Sequence, residues 1–277
     1  MATTLYRTKQ GIVVERDGAF GLLSADWDAL FIGDSLQRSL DTYESTHDDS
    51  ARAAVENALL PPIGSQEIWA SGVTYYSSRL ARMEESKSAG GSDFYAAVYK
   101  ADRPELFFKS TAHRARGHGQ TVRIRDDSTW DVPEPELTLA LSDEGRIIGY
   151  TVGNDMSSRS IEGENPLYLP QAKTYEGAAG IGPGLRVADT TLSDASAIRL
   201  EIYRSDALAF EGDTDLATMK RKPEELAGYL FRELSFPQGC YLMTGTGIVP
   251  GTDFTLQSGD RIEISIDGVG KLVQTVA

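Results

Sequence analysis

The sequence predicts a β-rich α+β fold with peripheral helices and a small N-terminal domain, and three observations carry that expectation. From Glu105 onward, short strand-like runs are separated by Gly, Pro and Asp; one helix stands out at Pro223–Leu234; and Pro61-Pro62 closes an opening segment of different character. Residues 1–65 hold two short strands, Gly11-Ile-Val-Val-Glu15 and Phe20-Gly-Leu-Leu23, ahead of a polar, helix-compatible stretch from Ser35 to Leu60. The boundary there leaves 66–277 as the main domain. It opens with a strand at Ile68–Val73 and a helix over Ser77–Lys87. The patch Ser88-Ala-Gly-Gly-Ser92 beside that helix reads as a movable lid or as an ordinary surface turn. The leading proline and early acids of Pro223-Glu-Glu-Leu suit a helix start.

Composition narrows the function classes. With 277 residues, 40% of them hydrophobic, the chain buries a core of its own. Cys240 is the single cysteine, expected as a small buried residue, so neither an intrachain disulfide nor a Cys-rich zinc site can form, which suits a reducing cytoplasm. No apolar run approaches the roughly 20 residues of a membrane span, and the amino terminus lacks the apolar stretch of a signal peptide. Lys plus Arg (27) against Asp plus Glu (41) gives a net charge of −14, which repels a phosphate backbone and argues against nucleic acid as a partner. The glycine-rich pieces Gly180-Ile-Gly-Pro-Gly184 and Gly245-Thr-Gly247 match neither dinucleotide nor P-loop spacing.

The most informative stretch is Val132-Pro-Glu-Pro-Glu-Leu-Thr-Leu-Ala-Leu-Ser142. Its prolines fix φ and bias the residues before them toward extended backbone, which predicts a strand. Residues two apart share a strand face, so Glu134 and Glu136 point one way while Leu137, Leu139 and Leu141 point the other, into the core. Asp143-Glu-Gly-Arg146 reads as a hairpin with Glu144-Gly145 as its loop and Asp143 paired with Arg146. Carried along Ile147–Val152 to Gly153-Asn154-Asp155, that register sets Asp155 opposite Glu134, with Cβ atoms about 5 Å apart. Three carboxylates so close repel unless a cation joins them or their pKa values rise. Oxygen-only ligation disfavours zinc and copper and suits Mg²⁺, Mn²⁺ or Ca²⁺, with Mg²⁺ favoured where positions stay open for water and substrate. An exposed acidic strand edge is the competing reading of Glu-X-Glu taken alone.

From Ser71 to the carboxyl terminus the chain resembles the fumarylacetoacetate hydrolase family. The Glu-X-Glu strand appears as Pro133-Glu134-Pro-Glu136-Leu, the Gly-Asn-Asp segment as Gly153-Asn154-Asp155-Met-Ser-Ser-Arg159, and the lysine segment as Gln171-Ala-Lys173 ahead of Gly180-Ile-Gly-Pro183. Thr244-Gly245-Thr246, Ser258–Glu263 and Gly268–Leu272 match the family's closing segments. The resemblance implies a mixed β-sandwich roll, a metal on Glu134, Glu136 and Asp155, and a homodimer or homotetramer.

Departures from the family pattern bear on the reaction. The carbon–carbon hydrolases of the family generate hydroxide with a His-Glu pair, and the matching segment, Gly72–Glu84, has no histidine. The histidine slot falls on Ser78 by one family pattern and on Ala81 by another, and the extra aspartate ligand of some members falls on Thr74. Without that base, water is hard to activate. A metal chelating a 2-oxo acid can instead stabilise an enolate as the C3 proton leaves, with loss of a C4 hydroxyl to follow. Arg79–Ser86 and Glu162–Lys173 resemble most closely the family's 2-dehydro-3-deoxy-D-pentonate dehydratase branch, which converts 2-keto-3-deoxypentonates to 2-oxoglutarate semialdehyde.

That resemblance implies roles. Lys173 partners the substrate's enolate oxygen or carboxylate, or serves as the C3 base; Tyr76, Arg79, Arg82, Gly245 and Thr246 bind substrate; Glu84, or Glu85 beside it, hands a proton to the departing hydroxyl. Hydrolysis of an acylpyruvate, decarboxylation or isomerisation of a 2-oxo acid, and a catalytically silent metal-binding protein are the alternatives.

Overall fold

The computed structural model describes residues 2–78, 97–189 and 192–277. Among these, the larger sheet runs in spatial order β3 (Ala19–Leu23), β2 (Gly11–Arg16), β1 (Thr3–Thr8), β12 (Ala179–Val187), β10 (Ile147–Asp155), β9 (Pro135–Leu141), β15 (Cys240–Met243), β4 (Glu67–Gly72) and β5 (Glu105–Thr111), with β6 (Ala115–Arg116) alongside β12. A second sheet orders β14 (Ala207–Asp215), β13 (Ala197–Arg204), β16 (Arg261–Ile266), β17 (Gly270–Val276) and β7 (Thr121–Val122). The short pair β8 (Asp131–Val132) and β11 (Ser157–Ser158) brackets the functional hairpin. The fold is thus mixed and strand-rich.

Alternation along β9 explains how the layers meet. Leu137, Leu139 and Leu141 pack with Ile198, Leu200 and Ile264 of the second sheet in one core. Ala140 joins a second core on the other face, with Leu5, Trp27, Phe31 and Tyr241. Both faces of the strand are covered, so β9 is buried along its whole length. Strand β1 pairs with β12 through Leu5 and Leu185, so the opening strands continue the larger sheet.

Among the described residues, helices α1 (Ser35–Asp41), α2 (Asp49–Asn57), α3 (Arg159–Glu164), α4 (Leu169–Lys173) and α5 (Pro223–Leu230) lie around the sheets. The helix-compatible stretch from Ser35 is therefore divided, because the Asp48 side chain accepts the Ser50 and Ala51 N–H groups and starts a second helix. The helix at Pro223 ends at Leu230, short of the predicted Leu234.

The turn between β9 and β10 differs from the predicted one. The Ser142 N–H donates to Arg146 O at 2.9 Å, so the loop is Asp143-Glu144-Gly145, with Gly145 at φ 78°. Asp143 turns away from Arg146: its N–H donates to Phe31 O at 2.9 Å and its carboxylate accepts the Gly33 N–H at 2.8 Å. A bulge at Ile148 then absorbs the offset, since Ile147 opposes Leu141 but Gly149 opposes Ala140. Beyond the bulge the strands keep the predicted register. Gly153 lies opposite Glu136, and the Asp155 N–H donates to Glu134 O at 2.9 Å.

Candidate active site

Glu134, Glu136 and Asp155 meet where β9 begins and β10 ends. They are 5%, 1% and 1% exposed, and one carboxylate oxygen from each lies within 4.8 Å of the others. An exposed acidic edge is therefore not what this strand forms.

Cations surround two of the three acids. Lys173, closing α4, places Nζ 2.8 Å from Glu134 Oε2, 3.1 Å from Asp155 Oδ2 and 2.6 Å from Ser157 Oγ. Arg159, opening α3, reaches Glu134 Oε1 at 2.6 Å. Lys109 of β5 is fully buried; its Nζ lies 2.5 Å from Asp155 Oδ1 and donates to Met156 O at 2.9 Å. Glu136 differs. It accepts the Gly245 N–H at 2.7 Å, and among the described residues no side-chain cation lies within ion-pair distance of it. Burial, and next the charges of Asp155 and Glu134, push its carboxyl well above the usual range. Burial likewise pushes the Lys109 ammonium down, against the pull of Asp155.

Glu162 completes the cluster, 3.5 Å from Lys173 Nζ and 3.6 Å from Arg159 Nε. Among the described residues, four buried carboxylates thus face three cations. Hard oxygen donors this close together fit a divalent cation held by oxygen.

The turn after β15 is locked to the same strand. Thr244 donates both its N–H (3.0 Å) and its hydroxyl (2.9 Å) to Leu137 O, and Thr74 Oγ1 donates to Thr244 O at 2.7 Å. Gly245 has φ 94°, and a Cβ there would fall 2.0 Å from Thr74 Oγ1, so the position requires glycine. Its amide is directed at Glu136 rather than left for a substrate carboxylate. The Thr246 hydroxyl is engaged with the main chain of Ile248 at 3.1 Å, while Gly245 and Thr246 line the cavity that holds the acids and Lys173. Phe107 lines it too, its ring 5.8 Å from Lys173 Nζ. Ser78, one of the two positions for the missing histidine, lines the cavity and spends its hydroxyl on Tyr75 O at 2.9 Å. Tyr76 is 56% exposed and packs on the Tyr99 ring at 6.3 Å. Arg79, Ala81, Arg82, Glu84, Glu85 and the Ser88–Ser92 patch lie outside the described residues.

A family model described as fumarylacetoacetate (FAA) hydrolase C-terminal matches residues 68–277. The chain belongs to the fumarylacetoacetate hydrolase family. It is 42% identical over 278 residues to a Haloferax volcanii protein named "Probable 2-keto-3-deoxyxylonate dehydratase", covering 96% of this chain and 94% of that one. It is 43% identical over 220 residues to the 2-dehydro-3-deoxy-D-arabinonate dehydratase of Saccharolobus solfataricus, covering 79% and 74%. A solved structure of 2-keto-3-deoxy-D-arabinonate dehydratase complexed with magnesium and 2,5-dioxopentanoate superposes with a TM-score of 0.83 at 34% identity, over 100% of this chain and 98% of that one.

Four polar residues of this family member's cluster escaped sequence reasoning: Lys109, Ser157, Arg159 and Glu162. Lys109 reads as the start of a basic loop, although a lysine closing the aromatic pair Phe107-Phe108 was a usable signal. It sits at a second bulge, where Ser110 opposes Ile68 but Phe108 opposes Trp69. Bulges of this kind re-aim side chains beside functional sites.

Proposed function

We propose that this chain is a Mg²⁺-dependent dehydratase that converts a 2-keto-3-deoxypentonate to 2-oxoglutarate semialdehyde, with Glu134, Glu136 and Asp155 holding the ion. The observation that carries the proposal is Lys173, whose ammonium contacts two of the three converging acids inside one cavity. The dehydratase names of the relatives at 42% and 43% identity support the choice of substrate. When bound, Mg²⁺ would supply a Lewis acid for the carboxylate and oxo oxygens of the substrate.

The chain's own residues do the remainder. Lys173, after its ammonium has released a proton to solvent, takes the C3 proton; the C4–O bond breaks as the C3=C4 bond forms, and the hydroxyl leaves as water once protonated. A proton shift from C5 to C3 moves the double bond to C4=C5, and transfer of the resulting enol's O–H proton to C4 gives the aldehyde. Glu84 is the group assigned to protonate the leaving hydroxyl, and Arg79, Arg82 and Tyr76 are assigned to binding the substrate. Glu162 and Ser157 hold the Lys173 ammonium in place, and Phe107 excludes water from one side of it. The family's histidine slot falls on Ser78 by one pattern and on Ala81 by another, and either weighs against carbon–carbon hydrolysis, because neither a hydroxyl nor a methyl serves as the base.

The test is incubation of the purified protein with 2-keto-3-deoxyxylonate and Mg²⁺. Formation of the semialdehyde, abolished by a chelator and restored by Mg²⁺, is the expected outcome. Absence of semialdehyde together with cleavage of an acylpyruvate into two acids would overturn it.

A further inference from the structure

Val73 is set apart from the other residues that line the cavity. Its φ is 55°, in the left-handed region that a β-branched residue rarely enters, because its branched Cβ crowds the adjacent main chain. Neighbours impose that conformation. Before it, Ser71 Oγ donates to Glu105 O at 2.9 Å, and Gly72 is paired with Glu105 across β4 and β5. After it, Thr74 Oγ1 donates to Thr244 O at 2.7 Å, the Lys220 N–H donates to Thr74 O at 2.9 Å, and Tyr75 bridges to Met219. The chain bends between two fixed ends, and Val73 absorbs the bend. Such strain persists only where the surroundings over-determine it, and it concentrates at binding sites.

Position supplies the rest of the argument. Val73 is 4% exposed, and among the described residues it and Phe107 are the large hydrophobic residues lining the cavity of the acids and Lys173. A 2-oxo acid anchored by its carboxylate and oxo oxygens presents C3 next, and in a 3-deoxy acid that carbon carries only hydrogen. An apolar wall suits such a carbon: a hydroxyl there would be desolvated without a partner, and a methyl would overfill the site. We propose that Val73 is a specificity-determining residue, held in a strained backbone so that the cavity accepts 2-oxo acids with an unsubstituted C3 and rejects those substituted there. This deepens the dehydratase reading and rests on it.

The test compares the full chain with Val73→Ala and Val73→Gly. At an ordinary backbone position the glycine variant is the less stable of the two, whereas at positive φ the order inverts. Val73→Gly should therefore melt above Val73→Ala; the reverse order overturns the proposal. Binding with saturating Mg²⁺ is then measured by calorimetry for two isomers, 2-oxopentanoate and 3-methyl-2-oxobutanoate. The unaltered chain should favour the unbranched isomer by about tenfold, the scale of one misplaced carbon in an apolar pocket, and both variants should narrow that ratio by about threefold or more. An unchanged ratio overturns the proposal. If the unaltered chain binds neither acid with Mg²⁺, the inference is overturned, while the dehydratase reading stands or falls on semialdehyde formation.

Discussion

The acids and the cations of the site are held by different kinds of structure. Glu134, Glu136 and Asp155 come from one hairpin, where adjacent strands, alternation and a short turn set the geometry. Lys109, Arg159 and Lys173 come from a bulged edge strand and the ends of two short helices, brought together only when the sheet and its flanking segments have packed. The contrast teaches that local pairing places the charge to be neutralised, while long-range packing decides what neutralises it.

Removing an acid should have the largest effect. Glu134→Ala or Asp155→Ala should abolish Mg²⁺ binding by calorimetry and lower semialdehyde formation by about 10³-fold or more. Retention of tight Mg²⁺ binding would break the assignment of the hairpin as the metal holder. Lys173→Met tests the other side: turnover should fall by about 10²–10³-fold while Mg²⁺ binding is kept or tightened, because a cation competing for Glu134 and Asp155 is gone. Loss of Mg²⁺ binding in that variant would mean that the two sides are not separable.

Lys109→Met removes one member of a buried ion pair and leaves Asp155 less compensated. It should cost about 3 kcal/mol in urea unfolding without metal, part of which Mg²⁺ restores by binding the folded state. An unaltered midpoint would show that Lys109 is not needed to hold the cluster.

Asp131, buried but outside the cluster, is the smallest case. Burial pushes its carboxyl up from 3.8 to about 6. The folded state therefore holds that proton more tightly than the unfolded chain, so the stability this group contributes is fully present below about pH 4 and is lost as the pH rises through 6. Asp131→Asn should flatten stability between pH 4 and 7 and gain about 1–2 kcal/mol at pH 8; an unchanged pH profile would show that the carboxyl is solvated.

The hairpin was legible because its information is local. Glu134-Pro-Glu136 fixes an extended strand, Leu137, Leu139 and Leu141 choose the buried face, and Gly153-Asn154-Asp155 supplies the partner. Even here the turn is one residue longer than Asp143-Glu-Gly-Arg146 suggests, and the bulge at Ile148, which nothing in Arg146-Ile-Ile-Gly149 announces, restores the register. The bulge that frees Lys109 is equally silent, because no glycine or proline in Phe107-Phe108-Lys109-Ser110 marks it. Arg159 and Glu162 were in view as parts of matched segments, yet a helix start that faces inward looks like one that faces solvent until its neighbours are placed.

By itself, then, the chain's residue order determined a strand-rich fold and three acids on opposed strands, since pleat and proline geometry act over a few residues at a time. Tertiary structure alone decided which cations meet those acids, that the Gly245 amide serves Glu136, and that Val73 bends at the cavity wall. Each of these depends on where segments tens of residues apart come to rest, which only the burial of the whole core fixes.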